Sequence, residues 1–168
     1  MSQKIKAIVK KIIAKNKITD FPIPLEKILK SYKIGLNYSI LEDAVSGFLY
    51  NKDGKYIISV NSRHPIVRQR FTIAHELGHY LLNHQGDLFI DKGYIFRDFR
   101  SSTGNIRWEK EANKFAAELL MPQLMLERFI NSEKIEDDED LEIVAQKLVV
   151  STQSLIYRLD NLGLISLY

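Results

Sequence analysis

Residues 70–84 read RFTIAHELGHYLLNH. Phe71, Ile73, Ala74, Leu77, Leu81 and Leu82 surround two histidines and a glutamate with apolar side chains. From Ile66 onward no breaker interrupts the run except Gly78, and Pro65 suits the first turn of a helix, so the stretch predicts one long helix. On that helix His75 and His79 stand about 40° apart on one face, one turn from each other, and their imidazoles can converge on one ion. Glu76 lies about 100° from His75 but only about 60° from His79, where it can overhang an ion without binding it. Buried polar groups need partners, and a metal would satisfy all three at once. The plainer alternative is a helix with two surface histidines and a glutamate.

The pattern is His-Glu-x-x-His, the zincin arrangement. Two histidines do not complete a site. His84 lies five residues past His79, which places it about 180° from His75 on a continuous helix, so it is a poor third ligand. The better source is WEKEANKFAAELLMP, residues 108–122, which reads as a second strong helix from about Arg107 to Met121. With Glu109 set at zero on a helical wheel, Ala112, Ala116, Leu119 and Leu120 fall within about 80° of it, whereas Glu118 and Glu111 fall at about 180° and 200°. A glutamate on an apolar face is costly unless paired or metal-bound, which makes Glu109 the expected third ligand. The competing reading of Glu109 is a carboxylate favoured by the helix dipole near an N-terminus. Asn113 lies one turn on, where it could hydrogen-bond a ligand histidine. Three ligands of His-His-Glu type leave a coordination position open, as in catalytic rather than structural zinc sites. The expected chemistry is amide hydrolysis with one Zn2+ and Glu76 as the base, although such a site also admits other divalent ions.

Composition narrows the setting. The chain has 168 residues, 45% hydrophobic and 27% charged, enough for a globular core. No run approaches the roughly 18 apolar residues of a membrane span. There is no convincing secretory signal, and there are no cysteines, so any metal is held by nitrogen and oxygen. The expected compartment is the cytoplasm. The formal net charge is +3, with lysines crowded into the first 33 residues. Ile5, Val9, Ile12 and Ile13 recur among those lysines at helical spacing, so the start reads as a packing helix over 3–16 with a solvated basic face.

A helix is expected over Leu25–Tyr32, then strands at Gly35–Ser39, Val45–Tyr50 and Tyr56–Val60, with Asp53-Gly54 marking a hairpin. Residues 85–106 read as a long loop. Further helices are expected to Phe129, from a cap at Asp140 to Val149, and from a cap at Ser151 to Leu159, ending at Gly163. Helices, a small sheet, then helices argue for an α+β fold. The expected organisation is a metal-binding domain over 1–130, with a short antiparallel sheet beside the motif helix, and a helical C-terminal segment over 131–168.

RFTIAHELGHYLLNH followed by a Glu-x-x-Ala-Asn-x-Phe-Ala-Ala-Glu-Leu-Leu-Met-Pro helix resembles the ImmA/IrrE family of metallopeptidases. The pair Glu109 and Asn113 also resembles the gluzincin pattern, in which the glutamate ligand is followed four residues later by Asp or Asn. The resemblance covers roughly residues 25–165. It implies a small zincin-like domain in a bacterial, phage or mobile-element regulator, similar to peptidases that cut a partner repressor, often one with a helix-turn-helix. It further implies that Tyr56–Val60 is an edge strand whose Ile57, Ile58 and Ser59 pair with an extended substrate; the alternative is a strand that merely packs.

Two other functions compete. One is a metal-bound regulator that docks a repressor or DNA without proteolysis. The other is a DNA-binding protein: AQKLVVSTQSLIYRL, within 141–165, vaguely resembles a helix-turn-helix. Against it, the second helix offers only Arg158 as a cation, and the preceding acidic run repels phosphate, so direct nucleic-acid binding is not expected.

Overall fold

The computed structural model describes residues 2–84, 88–91, 103–133, 135 and 137–165. The first helix, α1 (Ser2–Lys15), forms as its periodicity predicts: Ile5, Val9 and Ile12 are buried, and Lys4, Lys10, Lys11 and Lys15 are exposed. The short α2 (Leu25–Ser31) buries Leu25, Ile28 and Leu29. Three strands follow: β1 (Gly35–Ser39), β2 (Gly47–Lys52) and β3 (Lys55–Asn61). Asp53 (φ 52°) and Gly54 (φ 77°) join β2 to β3 in a two-residue turn. Two successive positive φ values suit the right-handed twist of a hairpin, and Asn51 Oδ1 accepts the Gly54 N–H at 3.0 Å.

The fourth strand, β4 (Leu88–Asp91), lies inside the stretch expected to be loop and pairs antiparallel with β2. The rest of that expectation, at 85–87 and 92–102, falls outside the described residues. The strand order is β1-β3-β2-β4. The α+β class therefore stands, but the sheet is mixed rather than antiparallel throughout, because β1 pairs parallel with β3. Asn61, at the end of β3, shows how this is held. Its Nδ2 donates to the carbonyls of Glu42 (3.2 Å) and Val45 (3.0 Å), which carries the 40–46 link across the end of β3 and leaves β1 on the far side.

A second correction follows from the same order. β3 is bonded on both sides, to β1 and to β2, so Ile57, Ile58 and Ser59 have no free edge on which to pair a substrate. Among the described residues the edge strands are β1 and β4. A strand covered on both faces has consecutive buried positions, and Ile58, Ser59, Val60 and Asn61 are all buried.

The motif helix α3 (Ile66–Leu82) starts after Pro65 and ends at Asn83, which is left-handed at φ 57°. Helix α4 (Thr103–Leu120) starts earlier than its Arg107 pattern suggested. Pro122 breaks the chain before α5 (Gln123–Ser132). Helix α6 (Asp138–Leu148) is capped by Asp137, whose Oδ1 accepts the Asp140 N–H at 3.0 Å, so Asp140 sits in the first turn and not at the cap. Helix α7 (Thr152–Asn161) is capped by Ser151 as expected. Ile12, Ile28, Ile58, Leu77, Phe115, Leu126, Leu148 and Leu155 join all seven helices and the sheet in one apolar cluster. Within it α3 packs on β2, β3 and α4. No helix among the described residues is long and apolar enough to cross a membrane.

Candidate metal centre

Helix α3 presents His75, Glu76 and His79 at 3%, 0% and 1% exposure, so they are core residues rather than surface ones. The approach of α4 depends on small residues at the crossing. A Cβ on Gly78 would lie 3.0 Å from Phe115 Cδ1, and Ala112 and Ala116 on α4 are fully buried. Close contact there lets Glu109 reach across. Its Oε2 is 3.1 Å from His75 Nε2 and its Oε1 is 3.4 Å from His79 Nε2, while the two Nε2 atoms are 3.0 Å apart.

Those separations fit a metal. Bonds of about 2.0–2.1 Å around a tetrahedral ion set neighbouring donor atoms about 3.3–3.4 Å apart. Donor chemistry agrees, with two imidazole nitrogens and one carboxylate. Among the described residues, His75, His79 and Glu109 are the one group of three or more acidic or imidazole side chains that could hold an ion.

The outward sides of the two rings are also partnered. Asn113 Oδ1 lies 2.9 Å from His75 Nδ1. A carboxamide oxygen only accepts, so that nitrogen carries the hydrogen and Nε2 turns its lone pair inward. His79 reaches the same state through a longer chain. Arg107 Nε donates to Glu111 Oε1 at 2.9 Å, and His84 Nε2 donates to Glu111 Oε2 at 3.2 Å. His84 Nδ1 then accepts from His79 Nδ1 at 3.0 Å, leaving His79 Nε2 free of hydrogen on the inner side. Trp108 stacks on the His84 ring, centroids 5.5 Å apart and planes 13° from parallel.

Burial pushes the His84 pKa down, against the contact with Glu111, which keeps the imidazole neutral at pH 7 as the chain requires. Burial raises the Glu109 carboxyl; with no ion bound, protons taken up at Nε2 of His75 and His79 supply the hydrogen bonds and charge that outweigh it and bring it to about 2. Glu111 is raised by burial and lowered more by Arg107 and His84, for a net downward shift.

The structure thus brings together His75, His79 and Glu109, sets Asn113 on His75, and buries Glu76 in the same turn of α3. His84 is outside the ligand group, but not because it faces away along a continuous helix. The helix stops at Leu82, and left-handed Asn83 turns His84 back onto His79. An asparagine just past an apolar helix is a recognised stop signal, and it was the clue to this fold-back. Arg107 and Glu111 stand four residues apart on α4, a spacing that pairs them, but nothing local brings Glu111 to His84. Glu118, opposite Glu109 on the wheel, is buried as well, because α7 covers that side of α4 and Arg158 binds its carboxylate and the Met121 carbonyl. Arg158 was the cation of the helix-turn-helix reading, and here it is turned into the protein.

Known proteins resemble the chain in sequence and in fold. Residues 30–160 match the peptidase family described as the IrrE N-terminal-like domain. The chain is 33% identical over 135 residues to an immunity region protein of Bacillus phage phi105, covering 80% of this chain and 78% of that protein. The solved structure of a Mycobacterium tuberculosis transcriptional regulator matches 94% of this chain with a TM-score of 0.67 at 16% identity, a likeness of fold. The chain spans 46% of the length of that regulator.

Proposed function

The chain belongs to the IrrE N-terminal-like peptidase family, and from that premise we propose that it is a zinc-dependent endopeptidase of the cytoplasm that cuts a partner transcriptional repressor, one with a helix-turn-helix, and so releases transcription. The observation that carries the reading is the convergence of His75 Nε2, His79 Nε2 and the Glu109 carboxylate within 3.0–3.4 Å of one another, next to buried Glu76. The immunity region name of the phage relative supports a role in switching genes.

In this reading His75, His79 and Glu109 hold the ion. A divalent ion supplies Lewis acidity there, making water a stronger acid and a peptide carbonyl a better electrophile. Asn113 and His84 keep the two imidazoles in the tautomer that presents Nε2. Glu76 takes the proton from the attacking water and delivers it to the departing amine nitrogen as the C–N bond breaks. Its burial keeps its carboxylate out of bulk water, where a proton would be lost to solvent.

The test is incubation of the zinc-loaded protein with the product of the neighbouring gene. Discrete fragments are expected from the parent. Glu76→Gln should keep the zinc stoichiometry and slow cleavage by about 100-fold or more, the usual scale of a lost general base. A variant that cuts as fast as the parent sinks the mechanism. A zinc-loaded parent that forms a stable complex and leaves the partner whole sinks the peptidase reading.

A further inference from the structure

A cavity of about 580 Å3 opens beside the metal centre, sharing His75 and Asn113 with it. That size is typical of ligand sites, which run about 300–1,000 Å3. Helices α1, α3, α4 and α7 form its walls, and their charges are not balanced. Lys6, Arg68, Lys114 and Arg158 line it against a single carboxylate, Glu118. Four cations against one acid give the lining +3, as much as the formal net charge of the whole chain. The other charged residues therefore cancel, and the excess is gathered at this wall.

The cations differ in what already holds them. Arg158 is matched by Glu118. Lys6 Nζ donates to Gln123 Oε1 at 2.6 Å, and Arg68 places Nε and Nη2 on Ser46 Oγ at 3.1 and 2.8 Å, so both meet neutral oxygens. Lys114 is exposed. Among the described residues none of these three has a carboxylate within 4.0 Å. Half-buried cations facing neutral acceptors gain most from an incoming anion, since charge-assisted hydrogen bonds are roughly twice as strong as neutral ones.

Resting on the peptidase reading, we propose that this cavity receives acidic side chains of the substrate. The preferred substrate carries at least two carboxylates in the extended segment flanking the scissile bond, and Lys6, Arg68 and Lys114 select them. The hydroxyl-bearing Ser154 and Tyr157 on the α7 wall add neutral donors for the same carboxylates.

Binding is measured by fluorescence anisotropy on zinc-loaded full-length Glu76→Gln protein, so that turnover does not interfere. The probes are labelled decapeptides alternating Ala with Glu, Gln or Lys, and a short DNA duplex. The Glu peptide should bind about tenfold or more tighter than the Gln peptide, and the advantage should shrink with salt. Lys114→Glu, at an exposed position that leaves folding intact, and Arg68→Gln should each remove about three- to tenfold of that advantage. Equal affinity for Glu and Gln peptides overturns the proposal, as does an advantage that both variants leave intact, or a duplex that binds more tightly than the Glu peptide. Cleavage by the parent is scored separately. Cutting that ignores charge refutes the cavity and spares the peptidase, whereas charge-dependent binding without cutting of any partner does the reverse.

Discussion

Glu109 and Glu118 lie on the same helix and both turn inward, yet they meet different partners. Glu118, with 8% of its side chain exposed, is bound by Arg158, so its charge is matched within the chain. Glu109, with 27% exposed, faces the Nε2 atoms of two imidazoles whose outer nitrogens are already partnered by Asn113 and His84. Its charge is matched only when a cation comes from solution, as protons on the imidazoles or as a metal ion. A buried carboxylate with its own arginine holds two helices together, and one turned towards two lone pairs is poised for an ion.

The sharpest way to break this contrast is to remove each charge in turn. Glu109→Gln should weaken zinc binding by about a thousandfold or more, beyond the 10–100-fold that losing an outer partner costs. Glu118→Gln should leave zinc binding unchanged. Titration calorimetry reads both, and equal losses would erase the distinction. The reverse asymmetry should appear in stability. Arg158→Met strands a buried carboxylate and should cost about 3–5 kcal/mol by urea denaturation, with most of it recovered when Glu118→Gln is added. A neutral Arg158→Met would mean that the pair holds nothing.

Smaller effects sharpen the picture. In the metal-free protein the Glu109 carboxyl sits at about 2, below its ordinary 4.5. A depressed carboxyl contributes its stability in full above pH 4.5 and loses it as the pH falls through about 2. Glu109→Gln should therefore flatten the acid limb of the stability curve between those values, and an unchanged slope would show that the imidazoles do not hold the carboxylate. Last, His84→Ala should lower zinc affinity about 10–100-fold without changing the stoichiometry, because His79 loses the acceptor that orients its ring. Unaltered affinity would reduce His84 to a packing residue on Trp108.

Much of the site was legible because a helix repeats every 3.6 residues. That period put His75 and His79 on one face, set Glu109 on the apolar arc of α4, and placed Asn113 one turn beyond it. The period says nothing about where a helix stops, and the roughly 180° it assigns to His84 holds only on a helix that runs past Leu82, where α3 ends. Nor does it say how many neighbours a helix has. With one apolar arc facing α3, Glu118 belonged outside; α7 on the other side made that place interior.

The sheet divides in the same way. Asp53-Gly54 determined its hairpin locally, since two left-handed residues permit few other turns. The side of β3 on which β1 came to lie depended on Asn61 reaching carbonyls some twenty residues earlier, and that choice closed the edge expected to take a substrate.

By itself, then, the sequence determined the helices and the first three strands, though not β4, together with the α+β class and the identity of the three converging side chains, because these follow from short-range periodicity and residue chemistry. Tertiary structure alone decided the strand order, the join of Glu111 to His84 and the cationic cavity, because each joins residues from elements whose mutual placement is set by burial of the shared core and leaves no local pattern to read.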